Sequence, residues 1–162
     1  MPFVRGEHCV IFPDVTIGEG SRVGNFVMIR ANTSIGEGCT IGSYVDIEGE
    51  VTIGHHVSLQ SGVYITRGVI VEDEVFCGPR MITMNDKRIC HRRPGLTFVR
   101  SAPRILRAAR VGGGSVLMPG VTIGENAFGV SGWVVTHEVP DRASVVCNPA
   151  RIIGLVKAEE LI

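Results

Sequence analysis

From Ile11 onward an aliphatic side chain recurs at every sixth residue: Ile17, Val23, Ile29, Ile35, Ile41, Ile47, Ile53, Leu59, Ile65 and Val71, with Cys77 next in the series. The following residue is often glycine, as at Gly18, Gly24, Gly36, Gly42, Gly54 and Gly78. Four residues after each aliphatic comes a small or β-branched side chain, as at Val15, Val27, Thr33, Cys39, Val45, Val51, Val57, Val63, Val69 and Val75. A period of six is neither the 3.6 of a helix nor the 2 of a lone strand. It is the period of a short strand followed by a turn. The aliphatic residue points inward, and glycine or a polar residue makes the corner where a positive φ is needed. Three such units close a triangular coil of roughly 18 residues, and coils stack through parallel hydrogen bonding at the inter-strand spacing of ~4.8 Å. Each coil then buries its inner face only against its neighbours.

The phase breaks after Met81 and returns at Ile105, Val111, Leu117 and Ile123, then Gly129 and Val135. The step from Cys77 to Ile105 is not a multiple of six, so residues 83–104 are expected to leave the prism as an excursion loop. Its composition agrees: Asn85, Asp86, Lys87, Arg88, His91, Arg92, Arg93, Pro94, Gly95, Arg100, Pro103 and Arg104 lie within it. A loop of this length inside a compact domain is uncommon unless it is functional or disordered. After Pro140 the period stops, and residues 141–162 read as a cap with LVKAEELI as a short terminal helix. The expected fold class is all-β: one parallel β-helix domain over 1–162, with its prism formed by residues 10–82 and 105–140.

The chain of 162 residues is long enough for one domain with a sizeable core. Sixteen basic and sixteen acidic residues leave no net charge, which disfavours a nucleic-acid partner. No apolar run approaches the roughly 18 positions of a membrane span, and MPFVRGEHCV lacks the pattern of a secretory leader. Cys9, Cys39, Cys77, Cys90 and Cys147 are scattered without a C-x-x-C, which fits reduced thiols and a cytoplasmic location. Glycine, at 21 residues, is well above the usual ~7%, as a chain of many corners requires.

The repeat resembles that of the hexapeptide-repeat acyltransferases, and nearly the whole chain takes part. The resemblance implies a left-handed coil, a known exception to right-handed crossovers. Three segments are similar to one subgroup, the N-acetyltransferases of amino sugars attached to nucleotide diphosphates: EVFCGPRMITMN (74–85), MPGVTIGENAFGVSGWVVTHEVP (118–140) and NPARIIG (148–154). In that subgroup a V-F-C-G-P run is followed by Thr-Asn, whereas here Met84 separates Thr83 from Asn85. The subgroup's cap reads G-x-P-A-R, whereas Asn148 precedes Pro149 directly, and Ser131–Gly132 stands where Ala-Gly or Gly-Ala is usual. The resemblance implies a homotrimer of roughly parallel prisms. Acetyl-CoA would lie between neighbours and the acceptor sugar near the excursion loop.

Acetyl transfer to an amine needs a neutral amine, an aligned thioester, a donor for the oxyanion and a proton for the leaving thiolate. No nucleophile on the protein is required. Asn85 is the first candidate, because an amide can accept a hydrogen bond from the amine and aim its lone pair; the plainer reading is a turn residue. Asp86 could take a proton from an ammonium or pair with a loop arginine. His55 and His56 follow Gly54 at a corner, where an outward histidine could serve as a base or stand merely exposed; His91 and His137 are weaker candidates. The arginines from Arg88 to Arg110, Arg92 among them, suit phosphate, or else pair with acidic side chains. Arg30, Asn32 and Gln60 are polar residues placed to line an acceptor pocket. For the cofactor the fold generally uses backbone groups on successive coils and a basic cap residue, which implies Gly112, Gly114, Ser131, Gly132 and Arg151. Trp133 is placed to close the acyl end. No metal is expected. A zinc enzyme would need three converging histidines, of which only the His55–His56 pair is close in sequence. The alternatives are another small amine or alcohol acceptor, or a non-catalytic scaffold.

Overall fold

The computed structural model describes residues 2–161. Almost every strand is two residues long, and successive strands fall in turn on three sheets. The first sheet runs from Val4–Arg5 through Arg22–Val23, Thr40–Ile41, Ser58–Leu59, Phe76–Cys77, Arg110–Val111 and Phe128–Gly129 into the cap. The second holds Val10–Ile11, Met28–Ile29, Asp46–Ile47, Tyr64–Ile65, Ile82–Thr83, Val116–Leu117 and Val134–Val135. The third holds Thr16–Ile17, Ser34–Ile35, Thr52–Ile53, Ile70–Val71, Arg104–Ile105 and Thr122–Ile123. Prism pairs are parallel, and before the excursion the step is one coil, as between Tyr64 and Asp46 or Ser58 and Phe76.

The ladder residues fill the prism. Ile29, Ile47, Leu59, Ile65, Ile105, Leu117 and Ile123 are completely buried, each worth roughly 1.5–3 kcal/mol of transfer free energy. Ile11 and Ile17 are only half-buried, because coils cover them on one side alone. The coiling begins before residue 10: Val4–Arg5 pairs with Arg22–Val23. Arg5 occupies the ladder position there and is exposed, so no apolar repeat announces that strand.

The corners divide their two demands between two residues. Gly36 opens a corner and needs glycine for close approach, since a Cβ would lie 2.5 Å from the Gly54 carbonyl oxygen. The positive φ comes two residues later and is not reserved for glycine: His8, Phe26, Tyr44 and His56 all adopt it. Stacking offsets part of the strain, with the exposed rings of His8, Phe26 and Tyr44 at centroid separations of 4.9 and 5.1 Å.

Ile70 pairs with Thr52 on one side, a single coil back, but with Arg104 on the other, so the whole excursion is an insertion within one coil. Its flanking strands reach Thr83 and Arg104, one residue inside the expected segment at each end. Thr83 holds the ladder position after Cys77 and is fully buried, which is why the aliphatic series stops early. Its hydroxyl accepts the Thr66 N–H at 2.8 Å and lies 2.8 Å from the Thr66 hydroxyl. In the cap, Ala143–Val146 extends the first sheet in parallel and Arg151–Leu155 returns antiparallel to it. The expected terminal helix is a single 3₁₀ turn, Ala158–Glu160, whose Glu160 pairs with Arg110 at 2.8 Å.

Trp133 corrects an expectation. Its indole is wholly buried inside the prism rather than exposed at an acyl end. Gly129 has lost its side chain on that rung, since a Cβ there would fall within the indole ring. The Cys39 and Cys77 thiols are also interior, and burial pushes both up, Cys77 to about 12. Both are therefore poor thiolates. Among the described residues no helix is long and apolar enough to cross a membrane.

Candidate functional site

Three edges run along the prism, and the sequence candidates distribute over all three. Between the second and third sheets, where the excursion leaves, lies a hollow of about 520 Å³. Arg30, Glu48, Tyr64, Thr66, Arg67, Met84, Asn85, Asp86, Phe98 and Arg100 line it. The structure thus brings together Arg30, Asn85 and Asp86. Asn32 stands on the same edge, its N–H donating to Asp14 Oδ2 at 2.6 Å, but does not line the hollow.

The Asn85 backbone closes the base of the excursion, its carbonyl accepting the Ser101 N–H at 2.8 Å. Its Nδ2 donates to the Arg67 carbonyl at 2.9 Å. With Nδ2 tethered, Oδ1 remains to accept a hydrogen bond from a bound molecule. Asp86 forms an antiparallel bridge with Arg100, which carries the far strand of the excursion back to the prism. Each guanidinium of the hollow has an acidic neighbour: Arg30 pairs with Asp46, and Glu50 takes Arg67 at 3.7 Å and Arg100 at 2.5 Å. These partly exposed pairs contribute little stability individually, but they hold the guanidiniums around the opening.

Tyr64 lies on the second sheet with its hydroxyl donating to Glu48. Burial first, then this bond and the Glu48 charge, push the phenol up to about 12. The folded state therefore holds the proton more tightly than the unfolded chain, whose phenol ionises near 10. The resulting stabilisation is present below about pH 10 and is lost as pH rises towards 12. Absorbance titration of a Tyr44→Phe variant, which leaves Tyr64 as the sole phenol, is expected to give a midpoint near 12; a midpoint near 10 would contradict the burial of the phenol together with its Glu48 contact.

The cofactor candidates meet on another edge, between the first and second sheets. Gly112 and Gly114 belong to one coil and Ser131 and Gly132 to the next, joined by the Gly132 N–H to the Gly113 carbonyl at 2.9 Å. A Cβ on Gly114 or Gly132 would meet nothing within 4 Å, so both open onto free surface. Lower on this edge the corner N–H groups of Glu7 and Asn25 are capped by the side chains of Asn25 and Ser43. Those of Ser43, Ser61, Gly113 and Ser131 have no such partner among the described residues. Arg151 begins the returning cap strand, opposite Val146 on the strand that stacks over Phe128–Gly129. Gln60 shares the edge further down, its Nε2 donating to Ser58 Oγ at 2.7 Å.

His55 stands on the third edge, apart from both groups. Its Nδ1 accepts the Glu37 N–H at 3.1 Å and its own N–H donates to Asp73 Oδ1 at 2.7 Å. That role is a corner cap, and within one chain His55 does not approach Asn85. Arg92 lies exposed near the tip of the excursion with positive φ. Glu48, Tyr64, Thr66, Arg67, Met84 and Phe98 are the lining residues that sequence reading missed. Arg67 and Glu48 carried a signal, since Arg67 stands one coil before Asn85 and Glu48 one coil after Arg30 along the repeat.

Residues 32–67 match the family model for the bacterial transferase hexapeptide (six repeats). Over 52 residues the chain is 44% identical to the dTDP-3-amino-3,6-dideoxy-alpha-D-galactopyranose 3-N-acetyltransferase of Aneurinibacillus thermoaerophilus. That match spans 32% of this chain and 27% of the relative, about a quarter of its length. The structure is similar to the hexapeptide-repeat acetyltransferase VCA0836 of Vibrio cholerae, solved with acetyl coenzyme A, with a TM-score of 0.61 and 24% identity over 88% of this chain and 71% of that one. It is also similar to the acetyltransferase domain of PglB from Neisseria gonorrhoeae, likewise solved with acetyl coenzyme A, with a TM-score of 0.58 and 16% identity over 90% and 57% of the two chains. These likenesses establish the hexapeptide-repeat β-helix as the fold of this chain.

Proposed function

We propose that this chain, built on the bacterial-transferase hexapeptide repeat, is an acetyl-CoA-dependent N-acetyltransferase acting on the amino group of a nucleotide-linked amino sugar. The observation that carries the reading is Asn85, tethered through Nδ2 at the mouth of a hollow ringed by guanidiniums. The local identity to a dTDP-amino-sugar N-acetyltransferase supports the acceptor class.

In this reading Asn85 Oδ1 accepts a hydrogen bond from the neutral acceptor amine and aims its lone pair at the thioester carbonyl. The new C–N bond forms as the carbonyl becomes tetrahedral. The C–S bond then breaks, and the proton leaving nitrogen goes to the departing thiolate. Asp86, which lines the same hollow, helps carry that proton. Arg30 and Asn32 contact the sugar side, and Arg92 reaches phosphate from the excursion. Acetyl-CoA lies along the edge of Gly112, Gly114, Ser131 and Gly132, using the uncapped N–H groups, with Arg151 on a phosphate.

The cofactor edge and the Asn85 edge are separated by the second sheet, so cofactor and acceptor meet only if a neighbouring copy supplies one of the edges. A cyclic homotrimer in the cytoplasm satisfies this. The outward face of the second sheet carries Met28, Ile82, Val116 and Val134 with Asp46 and Tyr64 between them, a mostly apolar face suited to being covered. Gln60 sits on the cofactor edge and would face the acceptor from the adjoining copy.

Titration calorimetry with acetyl-CoA, followed by thermal shift with UDP and dTDP, tests the reading. Heat on binding and stabilisation by one nucleotide are expected, since a ligand at 100 times its Kd adds about 2.7 kcal/mol. Acetyl-CoA binding without any nucleotide response would move the acceptor to another small amine or alcohol. No acetyl-CoA binding at all would leave a scaffold.

A further inference from the structure

Building on the reading that Asn85 orients the acceptor amine, we propose that Glu48 and Tyr64 are a positioning pair that sets the Asn85 side-chain amide through the backbone of Arg67. The bonds form one continuous chain. The Tyr64 hydroxyl donates to Glu48 Oε1, the Arg67 N–H donates to Glu48 Oε2 at 3.0 Å, and the Arg67 carbonyl accepts from Asn85 Nδ2 at 2.9 Å. Every member lines the same hollow.

An asparagine amide has a donor end and an acceptor end, and a half-turn about its last bond exchanges them. Only the acceptor end can take a hydrogen bond from an amine while leaving the nitrogen lone pair free. The Arg67 carbonyl selects that orientation by claiming Nδ2. The carbonyl in turn sits where the turn after Tyr64–Ile65 puts it, and that turn is clamped on two sides. Inside, buried Thr66 is held by Thr83. Outside, Glu48 spans from Tyr64 to Arg67, with one carboxylate oxygen for each donor.

Tyr64 is not needed to fill the core. Its strand position faces outward, where Asp46 and Ile82 stand on the coils to either side. Nor does Glu48 act as a counter-ion, since the hollow's guanidiniums pair with Asp46 and Glu50 instead. The pair's distinctive task is to accept and donate hydrogen bonds at one end of a turn whose other end holds Asn85. A glutamine can do the same work as Glu48: its Oε1 accepts the Arg67 N–H and its Nε2 donates to the Tyr64 oxygen. A charge-dependent role, such as that of a general base, would not survive this exchange.

The test uses the full chain with acetyl-CoA and dTDP-3-amino-3,6-dideoxy-α-D-galactopyranose, following thiol release, in Tyr64→Phe, Glu48→Ala, Glu48→Gln and the Tyr64→Phe/Glu48→Ala double variant. Tyr64→Phe and Glu48→Ala are expected to lower kcat by roughly ten- to a hundredfold, the scale of a misplaced reacting group, with KM for acetyl-CoA unchanged. The double variant falls no further than the worse single one, because both break the same chain. Glu48→Gln recovers most of the rate lost in Glu48→Ala. Nitrogen-15 NMR of the Asn85 side-chain amide gives a second readout: its hydrogen exchange accelerates in Tyr64→Phe and Glu48→Ala and not in Glu48→Gln. If the protein acetylates the sugar and these variants keep the wild-type kcat and Asn85 exchange, the positioning role is overturned and the proposed function stands. If Glu48→Gln is as damaging as Glu48→Ala, positioning is overturned in favour of a role for the charge. If no acetyl transfer occurs with any amine, the proposed function fails, and the Asn85 exchange alone decides for or against the linkage.

Discussion

Asn85→Ala is expected to lower kcat for acetyl transfer by about 10²–10³-fold, the scale seen when one preorganised hydrogen-bonding group is removed from an acyl-transfer site. The amide contributes at the hollow and almost nowhere else. Its side chain makes one bond, to the Arg67 carbonyl, at an exposed position. Losing such a bond costs roughly 0.5–1.5 kcal/mol at most. The oligomeric state should not change, and Tm should fall by only a few degrees. Aspartate is a stricter replacement, because it keeps the size and an acceptor oxygen but sets a carboxylate against the Arg67 carbonyl. It should therefore lose rate as well. Single-turnover thiol release alongside calorimetric melting checks both variants, and wild-type turnover in Asn85→Ala would take Asn85 out of the mechanism.

Gly129→Ala is expected to destabilise the upper coils by about 1–3 kcal/mol, the range for overpacking a filled core. Gly129 sits on the inward ladder, where every coil below it carries a larger side chain. The added methyl would fall on the indole of Trp133, which is fully buried and has no open side to move into. Trp133→Ala alone leaves a cavity costing roughly 3–5 kcal/mol. The double variant Gly129→Val with Trp133→Val restores the aliphatic ladder that the lower coils use. It should be more stable than Trp133→Ala, since its two valines refill the volume the indole leaves. Urea denaturation of the three variants measures this, and a Gly129→Ala protein as stable as the wild type would mean the indole does not occupy that rung.

The period-six ladder was legible because a coil that buries one residue per strand must repeat it in the chain, and Ile11 to Cys77 does so without interruption. It fell silent where the inward position was filled by something other than an aliphatic. Arg5 hid the first strand and Thr83 the last strand before the excursion, while Gly129, placed on the ladder by its spacing, gave no sign that Trp133 fills its rung. Asn85, Asp86 and Arg30 were legible as site candidates from residue type and neighbourhood. Tyr64 was not, and Glu48 and Arg67 carried only their one-coil spacing from Arg30 and Asn85; on the outside of a β-helix all three look like ordinary solvated residues until they are seen to touch.

By itself the chain's order of residues determined that there would be three parallel sheets around an aliphatic core, and roughly where the loop and the cap would interrupt them. Those are consequences of local spacing, which each six-residue unit carries within itself. Only the folded molecule decided which edge each polar residue occupies and what stands beside it. The neighbours that matter come from the next coil, as Tyr64 does for Glu48 and Asn85 for Arg67. The excursion then shifts every later position relative to those before it. Contacts between coils depend on that accumulated register, so the site became visible only once the coils were stacked.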